Sequence, residues 1–262
     1  MEKSSTKETF VDRTLFCRYE MKYVISESKA AEIAHFIEPY LKLDRYSKLQ
    51  PSGYYPIVSL YLDSDDLRLC RESLRGVLKR FKLRIRSYTD DLTYPRFFEI
   101  KRRNNTVIIK SRARVGRGDI AALLAGKYVP PLQGHKTDIE AIRQFQLYMH
   151  SVCARPVVLI RYKRRAYEGD SENRVRVTFD RGLAYKSIAE PVVLFGGGGW
   201  RHNPINLNTV ILEIKFTGRY PAWLGRMAEY FGLRQQSVSK YATSLKKACS
   251  LKYCAPHLAV GM

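Results

Sequence analysis

The sequence predicts an α+β fold in which about eight antiparallel strands close into a barrel, with helices packed on the outside. Three observations carry this expectation. Successive segments alternate apolar and charged residues with the period of two that belongs to a half-buried strand. Other segments repeat their apolar residues at helical spacing. The charged side of the strands is mostly basic, in a chain of 262 residues with a net charge of +21. Like charges facing one another destabilise a sheet, so such a face calls for an enclosed anion.

Taken in order, residues 1–12 read as a flexible leader, 13–250 as a single domain and 251–262 as a tail. Residues 16–25 form a strand. Ser26 then caps a helix carrying Ala30, Ile33, Ala34, Ile37 and Leu41, with Pro39 near its end. Residues 55–64 are rich in β-formers and make a strand. Residues 65–75 make a short amphipathic helix stopped by Gly76. Strands follow at 78–88, 96–103 and 106–114, the first pair joined by a polar turn at 89–95 and the second by Asn104-Asn105. Helices at 119–125 and 138–152 lead to strands at 156–167 and 174–180, linked by a turn at 168–173. A glycine-rich loop, 192–208, precedes a strand at 209–217 and helices at 223–231 and 238–248.

Composition excludes several classes. A chain that is 45% hydrophobic, with 18 tyrosines and 11 phenylalanines, is not intrinsically disordered. No apolar run approaches the roughly 20 residues of a membrane span, and residues 1–10 lack the apolar core of a secretory signal. Five cysteines (Cys17, Cys70, Cys153, Cys249, Cys254) with no CxxC argue against a disulfide framework or zinc ribbon and for a reducing, cytoplasmic setting. Gly196–Gly199 has no following Gly-Lys-Ser/Thr and reads as a connection, not a nucleotide loop. None of His35, His135, His150, His202 and His257 falls in a strand motif, so no histidine nucleophile or ligand is expected. The tyrosines and arginines follow no RNA-binding signature, and no nucleic-acid partner is expected.

The basic face is specific in its residues. Lys82, Arg84 and Arg86 oppose Leu83 and Ile85; Glu99 and Lys101 oppose Phe98 and Ile100; Lys110, Arg112 and Arg114 oppose Ile109 and Ala113. Arg174, Arg176, Thr178 and Asp180 oppose Val175, Val177 and Phe179, while Glu213 and Lys215 oppose Leu212, Ile214 and Phe216. Three strands carry an E-x-K unit: Glu20-Met21-Lys22, Glu99-Ile100-Lys101 and Glu213-Ile214-Lys215. Carboxylates placed among ammonium groups this way are either plain ion pairs or oxygen ligands that hold Mg²⁺ or Mn²⁺ against phosphate.

These motifs resemble the VTC domain, the polyphosphate polymerase module of the vacuolar transporter chaperone, within the triphosphate tunnel metalloenzyme superfamily. The resemblance spans about residues 18–245. It is carried by Tyr19-Glu20-Met21-Lys22-Tyr23, Ser59-Leu60-Tyr61-Leu62-Asp63-Ser64, residues 82–88, 97–103, 162–167, 176–180 and 212–216, and Ser239-Lys240-Tyr241. It implies an eight-stranded antiparallel tunnel covered by helices. It also implies an ATP:polyphosphate phosphotransferase that passes the ATP γ-phosphoryl group to phosphate, pyrophosphate or polyphosphate with Mn²⁺ or Mg²⁺. The implied catalytic residues are Arg84, Arg86, Lys101, Arg164 and Lys240. Lys22, Lys82, Lys110, Arg112, Arg176 and Lys215 are expected to bind phosphate, and Glu213, Glu20 and Glu99 the metal. Arg164 is preferred to Arg165 because the family pattern reads Tyr-x-Arg-x-Ala-Tyr. Triphosphate hydrolases of the superfamily begin with E-x-E-x-K; here Arg18 replaces the first acid, which disfavours hydrolysis. A non-catalytic receptor for polyphosphate, pyrophosphate or inositol phosphates, and a tripolyphosphate hydrolase, are the alternatives.

Overall fold

The computed structural model describes residues 18–105, 107–130, 132, 136–170, 174–203 and 208–250. The expected leader and tail, together with Cys17, Cys254, His135 and His257, lie outside the described residues.

The polypeptide begins with β1 (Arg18–Ser26), and the Ser26 hydroxyl accepts the Lys29 N–H at 3.2 Å to cap α1 (Glu27–Ile37). Ala30, Ile33 and Ile37 put one stripe of α1 in the core, each isoleucine contributing about 1.5–3 kcal/mol. Two elements too short to show a period come next, β2 (Lys42–Leu43) and α2 (Arg45–Lys48). β3 (Tyr55–Asp63) leads to α3 (Arg68–Leu74), and Gly76 follows at φ +70°, a left-handed turn that suits glycine. The three basic strands are β4 (Lys79–Ser87), β5 (Arg96–Asn104) and β6 (Val107–Val115). A 3₁₀ turn, α4 (Ile120–Leu124) and α5 (Lys136–Ser151) pack behind them.

β7 (Arg155–Glu168) pairs with β8 (Val175–Ser187), seven residues longer at its C-terminal end than the sequence suggests. Gly182, at φ +63°, sits in β8 opposite a register shift between Arg161 and Lys163. The apparent strand end is therefore a bulge that bends the strand and lets it continue. Inside the glycine-rich loop, β9 (Arg201–His202) pairs with β8. β10 (Thr209–Thr217) falls where the alternation places it, and α6 (Ala222–Tyr230) and α7 (Lys240–Ser250) complete the described chain.

The sheet is antiparallel throughout, in the order β1-β10-β8-β7-β3-β4-β5-β6, with β2 on β7 and β9 on β8. The expected closure into a barrel is corrected here: β1 and β6 end the order and are not hydrogen-bonded to each other. Side chains bridge that seam instead, since Lys101 of β5 reaches Glu20 of β1 at 3.2 Å. One apolar layer joins the outer face of β3–β6 to α4 and α5; a second joins β1, β8 and β10 to α1 and α6. A third packs α7 against Ile57, Tyr61 and Tyr162, whose faces look inward, so α7 fills one end of the concave side. Among the described residues, no helix is long and apolar enough to cross a membrane. Cys70 and Cys153 are free thiols, and Cys249 is disulfide-bonded.

Candidate functional site: a cation-lined tunnel

The concave side of the sheet encloses a cavity of about 440 Å³. All fourteen residues singled out from the sequence line it: Lys22, Lys82, Arg84, Arg86, Lys101, Lys110, Arg112, Arg164, Arg176, Lys215, Lys240, Glu20, Glu99 and Glu213. Register explains the convergence. Lys82 faces Lys101, which faces Lys110; Arg84 faces Glu99, which faces Arg112; Glu20 faces Lys215, and Lys22 faces Glu213. Every one of these pairs points to the same side of a continuous sheet.

The three glutamates Glu20, Glu99 and Glu213 do not gather into one ligand set. Among the described residues, no three His, Cys, Asp or Glu side chains are grouped to hold an ion. Glu99 is engaged on β5 by Arg84 at 2.6 Å, Arg112 at 3.3 Å and Arg86 at 3.9 Å. Burial pushes its carboxyl up, but these three guanidinium groups outweigh burial and hold it at about 2. Glu20 and Glu213 are diagonal neighbours on β1 and β10. Burial and the Glu213 charge push Glu20 up, yet Lys22, Lys101 and Lys215 bring it to about 2. Glu213 is held well below the usual range, with Lys215, Lys22, Lys240 and Arg164 overcoming burial. These two ionised carboxylates fit a hard cation that takes its remaining oxygens from phosphate and water. They do not make an all-protein cage.

The cations divide by what already neutralises them. Arg164 donates to both oxygens of buried Asp180, at 2.6 and 2.7 Å, and Lys240 meets the same carboxylate at 2.6 Å. Arg176 is bridged to Asp44 at 2.6 Å and Glu168 at 2.8 Å. Lys82 instead donates to the Ser239 hydroxyl at 3.0 Å. Burial, helped by Lys22, Lys101 and Arg80 and against the pull of Tyr61, lowers Lys82 to about 8. Lys110 is exposed on edge strand β6 but turns its ammonium into the cavity; desolvation, then Lys215, Lys101 and Arg84, bring it down to about 7. Neither Lys82 nor Lys110 has a carboxylate partner among the described residues.

Arg164 lines the cavity, while Arg165 lies against the rings of Tyr54 and Tyr167 at 5.8 and 5.4 Å. Arg114 departs from the charged face to pair with Asp138 of α5 at 2.9 Å. Sequence reasoning missed Tyr61 and Tyr162, whose hydroxyls accept from Arg84 at 3.2 Å and Arg86 at 3.5 Å. It also missed Asp180 as the anchor of Arg164 and Lys240. Tyr61, Ser59 and Asp63 share one parity in β3, so alternation could have found that inner face. Among the described residues, no histidine lines the cavity.

No curated protein matches the chain. Among solved structures, a candidate adenylate cyclase from Bacillus halodurans is similar at 12% identity, with a TM-score of 0.46, over 85% of this chain and 95% of that one. The PH1819 protein of Pyrococcus horikoshii is similar at 11% identity, with a TM-score of 0.44, over 89% and 99%. A candidate adenylyl cyclase from Hippeastrum with a dominant triphosphatase activity is similar at 12% identity, with a TM-score of 0.46, over 87% and 95%. The decisive match is to the family described as the VTC domain, whose model covers residues 17–249; the chain belongs to the VTC domain family.

Proposed function

We propose that this protein is a polyphosphate polymerase-type phosphotransferase that moves the γ-phosphoryl group of ATP to phosphate, pyrophosphate or a growing polyphosphate chain. The observation that carries the reading is the cross-strand row Lys82, Lys101, Lys110, which opens onto the cavity beside Arg84 and Arg86. Like charges set opposite one another cost stability, and a chain of phosphates removes that cost along its length.

In this reading Arg84, Arg86 and Lys101 hold the transferred phosphoryl group. Lys22, Lys82, Lys110, Arg112 and Lys215 hold its neighbours, with guanidinium forks orienting and ammonium groups following. Arg164 and Lys240, fixed by Asp180, meet the substrate along the β7-β8 wall, and Arg176 borders it. Glu20 and Glu213 would hold a divalent ion, Mn²⁺ or Mg²⁺, which when bound neutralises charge on phosphoryl oxygens. Glu99 acts here as the anchor of three arginines. The acceptor is itself an anionic oxygen nucleophile, so positioning and electrostatics suffice and no general base is required.

The test is to incubate the protein with ATP and Mn²⁺ and look for a phosphatase-sensitive polyphosphate ladder on a gel. Glu213→Ala, Arg84→Ala and Lys101→Ala are run in parallel. The expected result is a ladder from the wild type and none from the three variants, with the fold retained. Wild-type rates in all three would refute the mechanism. Free phosphate from tripolyphosphate without a ladder would make the protein a hydrolase, and binding without either product a receptor.

A further inference from the structure

One mouth of the cavity is aromatic. Tyr88 and Arg112 line the cavity there. Around Tyr88 stand Phe97, with ring centroids 5.6 Å apart, Tyr55 at 6.3 Å, and Tyr46 at 6.3 Å with its plane only 6° from that of Tyr88. Tyr94 packs on Phe97 at 6.2 Å. Among the described residues, Tyr46, Tyr94 and Phe97 belong to none of the three apolar clusters; Tyr94 packs on Phe97, and Tyr46 on Tyr55 and Tyr88, beside the tunnel. Tyr46, the outermost ring, is 54% exposed.

The exposed ring is held firmly. Asp44 accepts the Ser47 N–H at 2.8 Å to cap α2, and its other oxygen takes Arg176 of the cavity wall at 2.6 Å. The Ser47 hydroxyl accepts the Ala166 N–H of β7 at 3.0 Å. So α2 is tied to two strands of the tunnel and sets Tyr46 at its rim. The junction between rings and cations is Arg112. Its guanidinium lies 3.7 Å over the Phe97 ring, donates to the Tyr88 hydroxyl at 3.2 Å and reaches Glu99 at 3.3 Å. Inward from Arg112 along the same strand comes Lys110, and beyond Glu99 comes Lys101. The opposite end holds Ser239 and Tyr241 at the start of α7. A planar ring platform, a stacked guanidinium and a cation row therefore stand in series.

We propose that this aromatic mouth stacks the nucleobase of a nucleoside triphosphate whose phosphates point inward, so that the γ-phosphate lies deepest. The inference rests on the reading above that the tunnel accepts such a substrate, and it adds the part of the site that tells a nucleotide from inorganic phosphate chains. Arenes bind any base by its π-face, and Arg112 sits where the ribose-proximal phosphate would pass.

The test compares two ligands on the full chain by calorimetry in the presence of EDTA, so that nothing turns over. ATP and inorganic tripolyphosphate are titrated into wild type, Tyr46→Ala and Tyr46→Phe. Loss of one base stack should weaken ATP at least fivefold in Tyr46→Ala, with tripolyphosphate changed less than twofold and Tyr46→Phe like wild type. An unchanged ATP affinity, or equal losses for both ligands, would overturn the inference while leaving the phosphate tunnel intact. Wild-type protein that binds neither ligand would overturn the functional reading itself, and this inference with it.

Discussion

The two walls of the tunnel are built on different electrostatic terms. On the β1-β10-β8-β7 side, nearly every cation has an acid beside it: Lys22 with Glu20, Lys215 with Glu213, Arg164 and Lys240 with Asp180, Arg176 with Asp44 and Glu168. On the β4-β5-β6 side, Glu99 is the one acid of the described cavity lining among Lys82, Arg84, Arg86, Lys101, Lys110 and Arg112, with Lys101 also reaching Glu20 across the seam. The first wall neutralises itself and sets geometry. The second carries surplus charge that an incoming anion satisfies. Buried ion pairs contribute little net stability, but an uncompensated buried charge costs several kcal/mol. In the proposed function, the binding energy for a phosphate chain is therefore concentrated on one side.

Acid should break both walls and gives the largest effect. Glu20 and Glu99, held at about 2 against an ordinary 4.5, contribute stability above pH 4.5 that is lost as pH falls toward 2. Equilibrium unfolding followed by circular dichroism across that window should show a steep loss of stability, and Glu99→Gln should flatten it.

Removing the single acid of the cation wall comes next. Glu99→Gln leaves three arginines without their carboxylate and should cost about 3 kcal/mol in urea unfolding. Added tripolyphosphate should recover much of that loss. A variant as stable as wild type would mean that the wall is less crowded than its distances imply.

A smaller effect separates Lys110 from its paired counterparts. Its ammonium is depressed to about 7, so the anion-free protein becomes more stable as pH rises above that value, and a bound anion must bring a proton back. Tripolyphosphate affinity should fall from about pH 6 to about pH 9, and Lys110→Met should reduce the slope. The same variant relieves a like-charge pair and should stabilise the free protein by about 0.5 kcal/mol while weakening anion binding.

Much of this was legible in the sequence because a strand puts alternate residues on one side. Lys82, Arg84 and Arg86, then Glu99 and Lys101, then Lys110 and Arg112 could be assigned to a shared face without knowing the pairing. Strand β10 matches its sequence-derived bounds at both ends. Partnerships between distant segments were not legible. Arg176 and Asp44 lie 132 positions apart, and nothing local distinguishes an arginine that an acid has already claimed from one left free. The aromatic mouth was hidden because Tyr46 rides on a four-residue helix, too short for any period to show. Closure was overread because alternation fixes faces, not which strands end a sheet.

The contrast between the walls is tested most directly by titrating tripolyphosphate into wild type, Arg84→Ala and Arg176→Ala side by side, with thermal denaturation as a control for folding. Both arginines line the same cavity. The account predicts a loss of tenfold or more for Arg84→Ala, which shares the single acid Glu99 with Arg86 and Arg112, and a much smaller one for Arg176→Ala, which has both Asp44 and Glu168 to itself. Equal losses, or a larger loss at Arg176, would contradict it.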